Sequence, residues 1–192
     1  MHSNIEVLRS IIQSRRSIYQ GSYTTDEIPD SVIWEILRSA NYAPTHKLTE
    51  PWRFVVFRHQ GKTRLGIELA RLYKEITPEE KFLQKKYDGI LDKIRQSSCV
   101  IAINIELHPE KIAEFEEISS VAAAVQNMWL TATALNVGCY WSTPDMIHSL
   151  NEFLGLQENQ KCIGLFYMGY HNEPDKEATR GSIEDKVRWV IE

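Results

Sequence analysis

One stretch of the chain sets the expectation for the whole fold, and it reads Ala43-Pro44-Thr45-His46-Lys47-Leu48-Thr49-Glu50-Pro51-Trp52-Arg53-Phe54-Val55-Val56-Phe57. Pro44 ends the helix that precedes it, because the residue before a proline is pushed out of the helical region. A polar turn follows, and Pro51 leads into an aromatic and β-branched run that is typical of a strand from Trp52 to about Arg58. The stretch therefore predicts a helix, a rigid turn and a strand, in that order.

Helical and extended patterns alternate along the rest of the chain. Apolar spacing and capping patterns predict helices over residues 5–13, 30–41, 61–73, 77–96, 109–135 and 143–155, with a short helix after residue 182. Runs of β-branched and aromatic residues predict strands over residues 100–105, 137–141 and 162–170. This order indicates an α+β or α/β fold in which helices cover both faces of a small sheet. No linker or repeat interrupts residues 1–192, so a single domain is expected.

Composition and charge narrow the class of protein. The chain is 43% hydrophobic with a formal net charge of −4, so net electrostatics does not favour nucleic-acid binding, and an anionic ligand would need a local basic site. No apolar run approaches the ~20 residues that span a bilayer, and the N-terminal residues lack a signal-peptide pattern, so a cytoplasmic protein is expected. Cys99, Cys139 and Cys162 lie in apolar runs and are expected to be reduced core residues without a thiolate metal site.

A basic tripeptide is the first candidate binding site. Arg15-Arg16-Ser17 follows an amphipathic helix, and two guanidinium groups with a hydroxyl can surround a phosphate. The alternative is a pair of solvated arginines that complement the dipole at a helix C-terminus. Other phosphate motifs are excluded: Gly61-Lys62-Thr63 has Val56 where a phosphate loop needs glycine, and the chain has no Gly-x-Gly-x-x-Gly sequence.

The turn between the two prolines is the second candidate. His46 and Lys47 have no structural role to play before a strand, so they are candidates for contact with a ligand. A lone histidine is also often a structural hydrogen-bonding group, and that alternative stays open.

Several motifs occur in an order that resembles the nitroreductase family. They are Arg15-Arg16-Ser17, Ala43-Pro44 with Pro51-Trp52-Arg53-Phe54, Ala123-Ala124-Val125-Gln126-Asn127-Met128, and Gly138 with Gly164-Leu165-Phe166-Tyr167-Met168-Gly169-Tyr170. The match covers most of the chain and is weakest over residues 61–96. Thr45-His46-Lys47 is similar to the turn of a compact subgroup of small bacterial nitroreductases. The resemblance implies a nitroreductase-type α+β fold with a small mixed sheet, helices on both faces and a long central helix.

The resemblance also implies a cofactor, FMN, held between the two subunits of a homodimer. Arg15 and Ser17 would hold the FMN phosphate, with Arg16 beside the ribityl chain or the phosphate. Arg180 resembles a basic residue that closes over the phosphate; the alternative is a surface arginine in a polar tail.

The remaining implied contacts are with the flavin ring. His46 would reach the flavin from the other subunit, and Tyr42 falls where the subgroup has another flavin-contacting side chain. Trp141, Ser142 and Thr143 match the segment that lies along the isoalloxazine ring. No catalytic side chain and no metal ligand is assigned.

The implied activity is FMN-dependent oxidoreduction. NAD(P)H would reduce the flavin and depart, and a small acceptor such as a nitroaromatic or a quinone would then take the electrons in a ping-pong sequence. No nucleic-acid or membrane partner is implied. Two alternatives remain, since a fold does not fix a function: a flavin-binding carrier or sensor without turnover, and a flavin-fragmenting or dehydrogenating relative on the same scaffold.

Overall fold

The computed structural model describes residues 3–174 and 176–192, and within them it has six α-helices and four strands. The helices are α1 (Asn4–Ser14), α2 (Asp30–Ala40), α3 (His59–Ile76), α4 (Gln84–Gln96), α5 (Glu114–Ala134) and α6 (Asn151–Leu154). The strands are β1 (Trp52–Phe57), β2 (Cys99–Glu106), β3 (Val137–Ser142) and β4 (Gln160–Tyr170). The α+β class expected from the sequence is confirmed, with a 21-residue α5 as its longest helix.

The four strands form one sheet in the order β1-β2-β4-β3, and every neighbouring pair is antiparallel. The mixed sheet implied by the resemblance is therefore wrong for the residues that the structure describes. Two helices, α3 and α4, return the chain from β1 to the same end of the sheet, so β2 runs opposite to β1. The chain passes from β2 to β3 through the single helix α5, so these two strands run in the same direction. Strand β4 lies between them and pairs antiparallel with both.

Helices cover both faces of the sheet, as the sequence predicted. Ile101 and Ile103 of β2 pack in the cluster formed with α2 and α5. Val100 and Ala102, on the other face of the same strand, pack with α3, α4 and the segment before α6. Seven of the eight β2 residues are buried, which matches the prediction from its continuous apolar run.

Three of the predicted helices begin later than the sequence indicated. The helix predicted from residue 77 is interrupted, because Phe82 packs on Tyr73 with ring centroids 5.5 Å apart and the Leu83 backbone N–H donates to the Tyr73 hydroxyl at 3.1 Å. Only a 3₁₀ turn, Glu79–Lys81, forms before α4 begins at Gln84. The helix predicted from residue 109 begins at Glu114 instead. The helix predicted over residues 143–155 is also wrong at its start: a 3₁₀ turn forms over Ile147–Leu150, and only Asn151–Leu154 is α-helical before Gly155.

The C-terminal tail differs from its predicted structure, whereas the cysteines agree with their prediction. The helix predicted after residue 182 is a single 3₁₀ turn, Glu184–Lys186, followed by extended and exposed residues. Cys99, Cys139 and Cys162 are buried and unbridged, as expected. Among the described residues, no helix is both long and apolar enough to cross a bilayer.

Candidate functional site

Three arginines that the sequence singled out line one cavity. It has a volume of about 610 Å³ and opens between the end of α1 and the C-terminal tail. Arg15 and Arg16 contribute from just past the end of α1, and Arg180 from the tail, with Glu177 as the one acidic residue of the lining. The arrangement is a local basic site in a chain of negative net charge, which is what an anionic ligand requires.

Arg15 is held in place without a counter-charge from the residues that the structure describes. Its guanidinium lies over the Trp129 ring of α5, 4.6 Å from the centroid. Burial lowers the pKa of Arg15, and the neighbouring charges of Arg16 and Arg180 lower it further. Because crowded, partly buried cations are unfavourable unless an anion is near, this cavity favours a multiply charged anion such as a phosphate.

Arg16, unlike Arg15, makes hydrogen bonds to distant parts of the chain. Its Nε donates to the Lys176 carbonyl at 2.7 Å, and its backbone carbonyl accepts from Trp129 Nε1 at 3.1 Å. Arg16 therefore ties the tail that carries Arg180 to the end of α1. Ser17, predicted to hold the phosphate, is exposed and is not part of the cavity lining.

The segment after Ser17 runs along β3 and joins the basic cavity to the predicted ring-binding residues. The Ile18 backbone N–H donates to the Cys139 carbonyl at 3.1 Å, and Tyr19 packs on Tyr140 with centroids 4.9 Å apart. A Cβ at Gly138 would lie 2.8 Å from an Ile18 side-chain carbon, so glycine permits this approach. Trp141 follows Tyr140 on β3. Because residues 18 and 19 run along β3, Trp141 lies on the same edge of the sheet as the basic cavity.

Trp141 has an unusual environment at the end of β3. Its indole Nε1 is buried and has no hydrogen-bond acceptor among the described residues. A Cβ at Gly164 would lie only 1.7 Å from that nitrogen, so the indole occupies space that glycine leaves free on β4. Ser142 is half-buried and Thr143 is exposed just past the strand. The three residues are consecutive at the end of β3, and their contact with a flavin ring stays a prediction.

The turn between the prolines lies far from the basic cavity. His46–Leu48 forms a 3₁₀ turn in which Lys47 and Leu48 have φ values of 50° and 52°, and Glu50 follows with 44°. Positive φ costs side-chain-bearing residues energy and often marks a functional segment. His46 Nδ1 contacts the Glu116 carboxylate on α5, and Lys47 Nζ donates to the Lys111 carbonyl at 2.5 Å. The turn is thus fixed to the N-terminal end of α5.

Tyr42 lies on the outer side of this turn. It is 86% exposed and lines a groove of about 500 Å³ between α2 and β1, together with Trp34, Trp52 and Val56. Trp52 is core at 7% exposure, and its Nε1 donates to Asn41 Oδ1 at 3.2 Å. Tyr42 therefore joins neither the arginine cavity nor the end of β3 within one chain.

The candidate residues thus fall into two groups at opposite ends of α5. Glu116 contacts His46, and Trp129, thirteen residues further along, contacts Arg15. With 1.5 Å of rise per residue, the two contacts are roughly 20 Å apart along the helix. Sequence reasoning missed both Glu116 and Trp129. Trp129 could have been found, because a large aromatic residue interrupts a helix that is otherwise rich in alanine. Glu116 could not, because it is one of three glutamates in the first turn of the helix and the sequence does not distinguish them.

The fold and this site define an α+β protein with a basic cavity beside the edge of an antiparallel sheet. Comparison with known proteins identifies the family to which such a protein belongs. The Nitroreductase family model matches residues 12–170, and the chain belongs to that family. Membership makes it an oxidoreductase of the nitroreductase type.

Individual relatives agree with this assignment. YfhC of Bacillus subtilis (strain 168), provisionally named an NAD(P)H nitroreductase, is 27% identical over 183 residues, covering 94% of this chain and 92% of YfhC. A nitroreductase-like protein from Bacillus cereus superposes with a TM-score of 0.86 at 23% identity, covering 100% of this chain and 98% of that one. The FMN-dependent nitroreductase NfnB of Mycobacterium smegmatis, solved in complex with NADPH, gives 0.77 at 16% identity, covering 98% of this chain and 100% of NfnB. These structural likenesses establish the nitroreductase fold.

Proposed function

We propose that the protein is an FMN-dependent NAD(P)H oxidoreductase that works as a homodimer and reduces a small acceptor, such as a nitroaromatic or a quinone, by a ping-pong sequence. The observation that carries the proposal is the convergence of Arg15, Arg16 and Arg180 on one cavity, in which Arg15 forms no ion pair with the residues that the structure describes. Residues 1–192 would form one FMN-binding domain, in a cytoplasmic protein.

The residues present fit FMN. A terminal phosphate suits the Arg15 and Arg180 guanidinium groups, because arginine offers a rigid fork of charge-assisted donors. The exposed Ser17 hydroxyl, one residue beyond Arg16, is free to turn toward a bound phosphate ester. At the other end, Trp141 and Ser142 are half-buried and Thr143 is exposed, so part of this segment is accessible to a bound ring system.

Bound FMN would supply the hydride chemistry, and the protein would bind and orient both the cofactor and its substrates. Trp141 would form a wall of the pocket, held there because Gly164 leaves room for its indole. Thr143, exposed just past the end of β3, has a backbone N–H available to face the flavin ring. His46 would complete the pocket from a second chain.

The two groups of candidate residues give a geometric reason for a dimer. His46 and Arg15 contact opposite ends of α5, so one chain does not bring them together. If the α5 helices of two chains pack antiparallel about a two-fold axis, the Glu116 end of one helix lies beside the Trp129 end of the other. Each of the two equivalent sites would then combine Arg15 of one chain with His46 of its partner.

The surface of α5 suits such packing. Its outward residues recur at helical spacing and are mostly small or apolar: Phe115, Ile118, Ser119, Ala122, Gln126 and Ala134. Helix α1, which packs beside α5, has no buried residue, although Ile5, Leu8 and Ile12 are apolar and about half exposed. Trp189 and Ile191 of the tail are 82% and 88% exposed. Large exposed apolar surfaces of this kind mark interaction sites.

Absorption spectroscopy of the purified protein is the first test. Flavin bands and release of FMN on denaturation would support the proposal, whereas recovery of FAD, or of no flavin after saturation with FMN, would overturn it. Steady-state oxidation of NADH and NADPH with quinone and nitroaromatic acceptors separates an enzyme from a flavin carrier. A holoprotein that oxidises neither donor would favour the carrier alternative.

A further inference from the structure

We propose that Glu116 is a positioning residue for His46: its carboxylate holds the imidazole by Nδ1 and so presents Nε2 to the ligand pocket. This inference rests on the proposed function, because it assumes that His46 contacts the cofactor or the acceptor. It adds a residue that neither the sequence pattern nor the family resemblance assigned.

The contact is built by elements far apart in the chain. His46 lies on the turn before β1, and Glu116 lies in the first turn of α5, 70 positions later. His46 Nδ1 faces the Glu116 carboxylate, and Nε2 makes no hydrogen bond to the residues that the structure describes. The imidazole is therefore fixed on one side and free on the other.

The turn that carries His46 is anchored on both sides of the contact. Lys47 Nζ donates to the Lys111 carbonyl, at the start of the segment that leads into α5. Within the turn, the Glu50 backbone N–H donates to the Thr45 hydroxyl at 3.0 Å. The positive φ values of Lys47 and Leu48 are sustained by this surrounding structure. Backbone with positive φ is unfavourable for residues with side chains, and a turn that holds His46 in one position gives a functional reason for it.

The partner side of the contact is anchored as well. Glu117, next to Glu116, has a fully buried side chain that accepts from both the backbone N–H and the Nδ1 of His108, each at 2.8 Å. This pair fixes the loop before α5 to the first turn of the helix. Glu116 is thus presented from a rigid element, which is the arrangement that supporting residues in functional sites require.

The energetics favour orientation over stability as the role of the contact. The His46 and Glu116 side chains are 55% and 32% exposed. Ion pairs and hydrogen bonds at such exposure contribute little to the free energy of unfolding. A carboxylate at Nδ1 does, however, select the tautomer with hydrogen on Nδ1. The neutral ring then offers a bare lone pair at Nε2, which accepts from an N–H or O–H donor of the flavin or the acceptor.

The proposal predicts a tautomer, and nuclear magnetic resonance measures it directly. We expect ¹⁵N-histidine-labelled holoprotein, at a pH where the ring is neutral, to show His46 protonated on Nδ1. In Glu116→Ala the ring should move toward the Nε2–H form, and Glu116→Gln, which keeps an acceptor oxygen, should restore the wild-type spectrum in part. Glu114→Gln is the matched control, because Glu114 lies in the same helical turn but pairs with Lys161. A wild-type His46 with hydrogen on Nε2 would overturn the proposal.

Flavin affinity provides a second, independent measurement. His46→Ala and Glu116→Ala should each weaken FMN binding by about fivefold, and the double variant should be no weaker than His46→Ala alone, because residues that act through one another are not additive. Additive losses would overturn the proposal. A wild-type protein that takes up no FMN would instead refute the proposed function, while the His46 spectrum of the purified protein would still report on Glu116.

Discussion

Glu116 and Trp129 lie thirteen residues apart on α5, and each contacts one half of the candidate site. Glu116 contacts His46, and Trp129 supports the Arg15 guanidinium at 4.6 Å from its ring centroid. One helix therefore sets the distance between the turn and the basic cavity. That distance is too long for one compact pocket in a single chain. If two copies of α5 lie antiparallel, the turn of one chain lies beside the basic cavity of the other.

Replacing Arg15 with alanine should weaken FMN binding by about one to two decades in dissociation constant. A charge-assisted contact with phosphate contributes roughly 1.5–3 kcal/mol, which is lost with the guanidinium. Fluorescence titration of the flavin-free protein measures the affinity. Arg9→Ala is the control, because Arg9 lies on α1, the helix that Arg15 follows, and is not part of the cavity lining. An unchanged dissociation constant for Arg15→Ala would refute the phosphate assignment.

Replacing Ala122 with glutamate should disrupt the dimer. The carboxylate would be placed on the outward face of α5, where a second α5 would bury it without a partner. Sedimentation should change from twice the chain mass to the 22.3 kDa of a monomer, with loss of bound flavin. Ile67→Glu on α3 introduces the same charge at an exposed apolar site on the opposite side of the sheet and should leave the dimer intact. A wild-type monomer with full flavin occupancy would contradict the two-chain site.

Replacing Gly164 with alanine should lower the free energy of unfolding by about 1–3 kcal/mol, the usual range for overpacking. The added methyl group would lie 1.7 Å from Trp141 Nε1, so the indole must move. Thermal unfolding measures the stability, and the flavin absorption band reports the displaced tryptophan. Gly89→Ala is the matched control: its Cβ meets nothing within 4 Å in the middle of α4, and it should stabilise the protein by about 0.5–1 kcal/mol. Equal stability of the two variants would show that Trp141 is not packed on Gly164.

The buried cysteines should make stability fall in alkaline solution. Burial raises the pKa of Cys99 to about 12 and that of Cys162 to about 11. Above pH ~8.5 the unfolded thiols lose protons while the folded ones keep them, so unfolding becomes more favourable as pH rises toward these values. Denaturant titrations from pH 8 to 10 measure the slope, and a triple cysteine-to-alanine variant should reduce it. Rapid reaction of native protein with a thiol reagent at pH 8 would show that the cysteines are not buried.

Steady-state kinetics should give parallel double-reciprocal lines. In the proposed dimer each site would have one Trp141 wall and one His46, so we expect the nicotinamide donor and the acceptor to use the same pocket in turn. Varying NADH or NADPH at several acceptor concentrations tests this. The free enzyme is expected to bind either substrate, so a high acceptor concentration should inhibit competitively with the donor. Intersecting lines would indicate two separate binding sites.

The sequence by itself identified the elements whose signals are local. The strand Trp52–Phe57, the buried strand Cys99–Glu106 and the helix Asp30–Ala40 all form close to where the spacing of apolar residues and the prolines predicted them. The helix predicted over residues 5–13 forms as Asn4–Ser14, and Ser3 and Glu6 make a capping box at its start. Such features depend on neighbours within a few positions, and the order of residues records those directly.

Tertiary structure decided everything that depends on contacts between distant residues. The insertion of β4 between β2 and β3, and the interruption of the helix predicted from residue 77, follow from packing that no local spacing encodes. Arg16 meets the Lys176 carbonyl across 160 positions, and this bond ties to α1 the tail that carries Arg180. Glu116 meets His46 across 70 positions. Residue types in the sequence supplied the candidate donors, but only the folded backbone set which of them share a cavity, because a distance in space is fixed by the packing of whole elements.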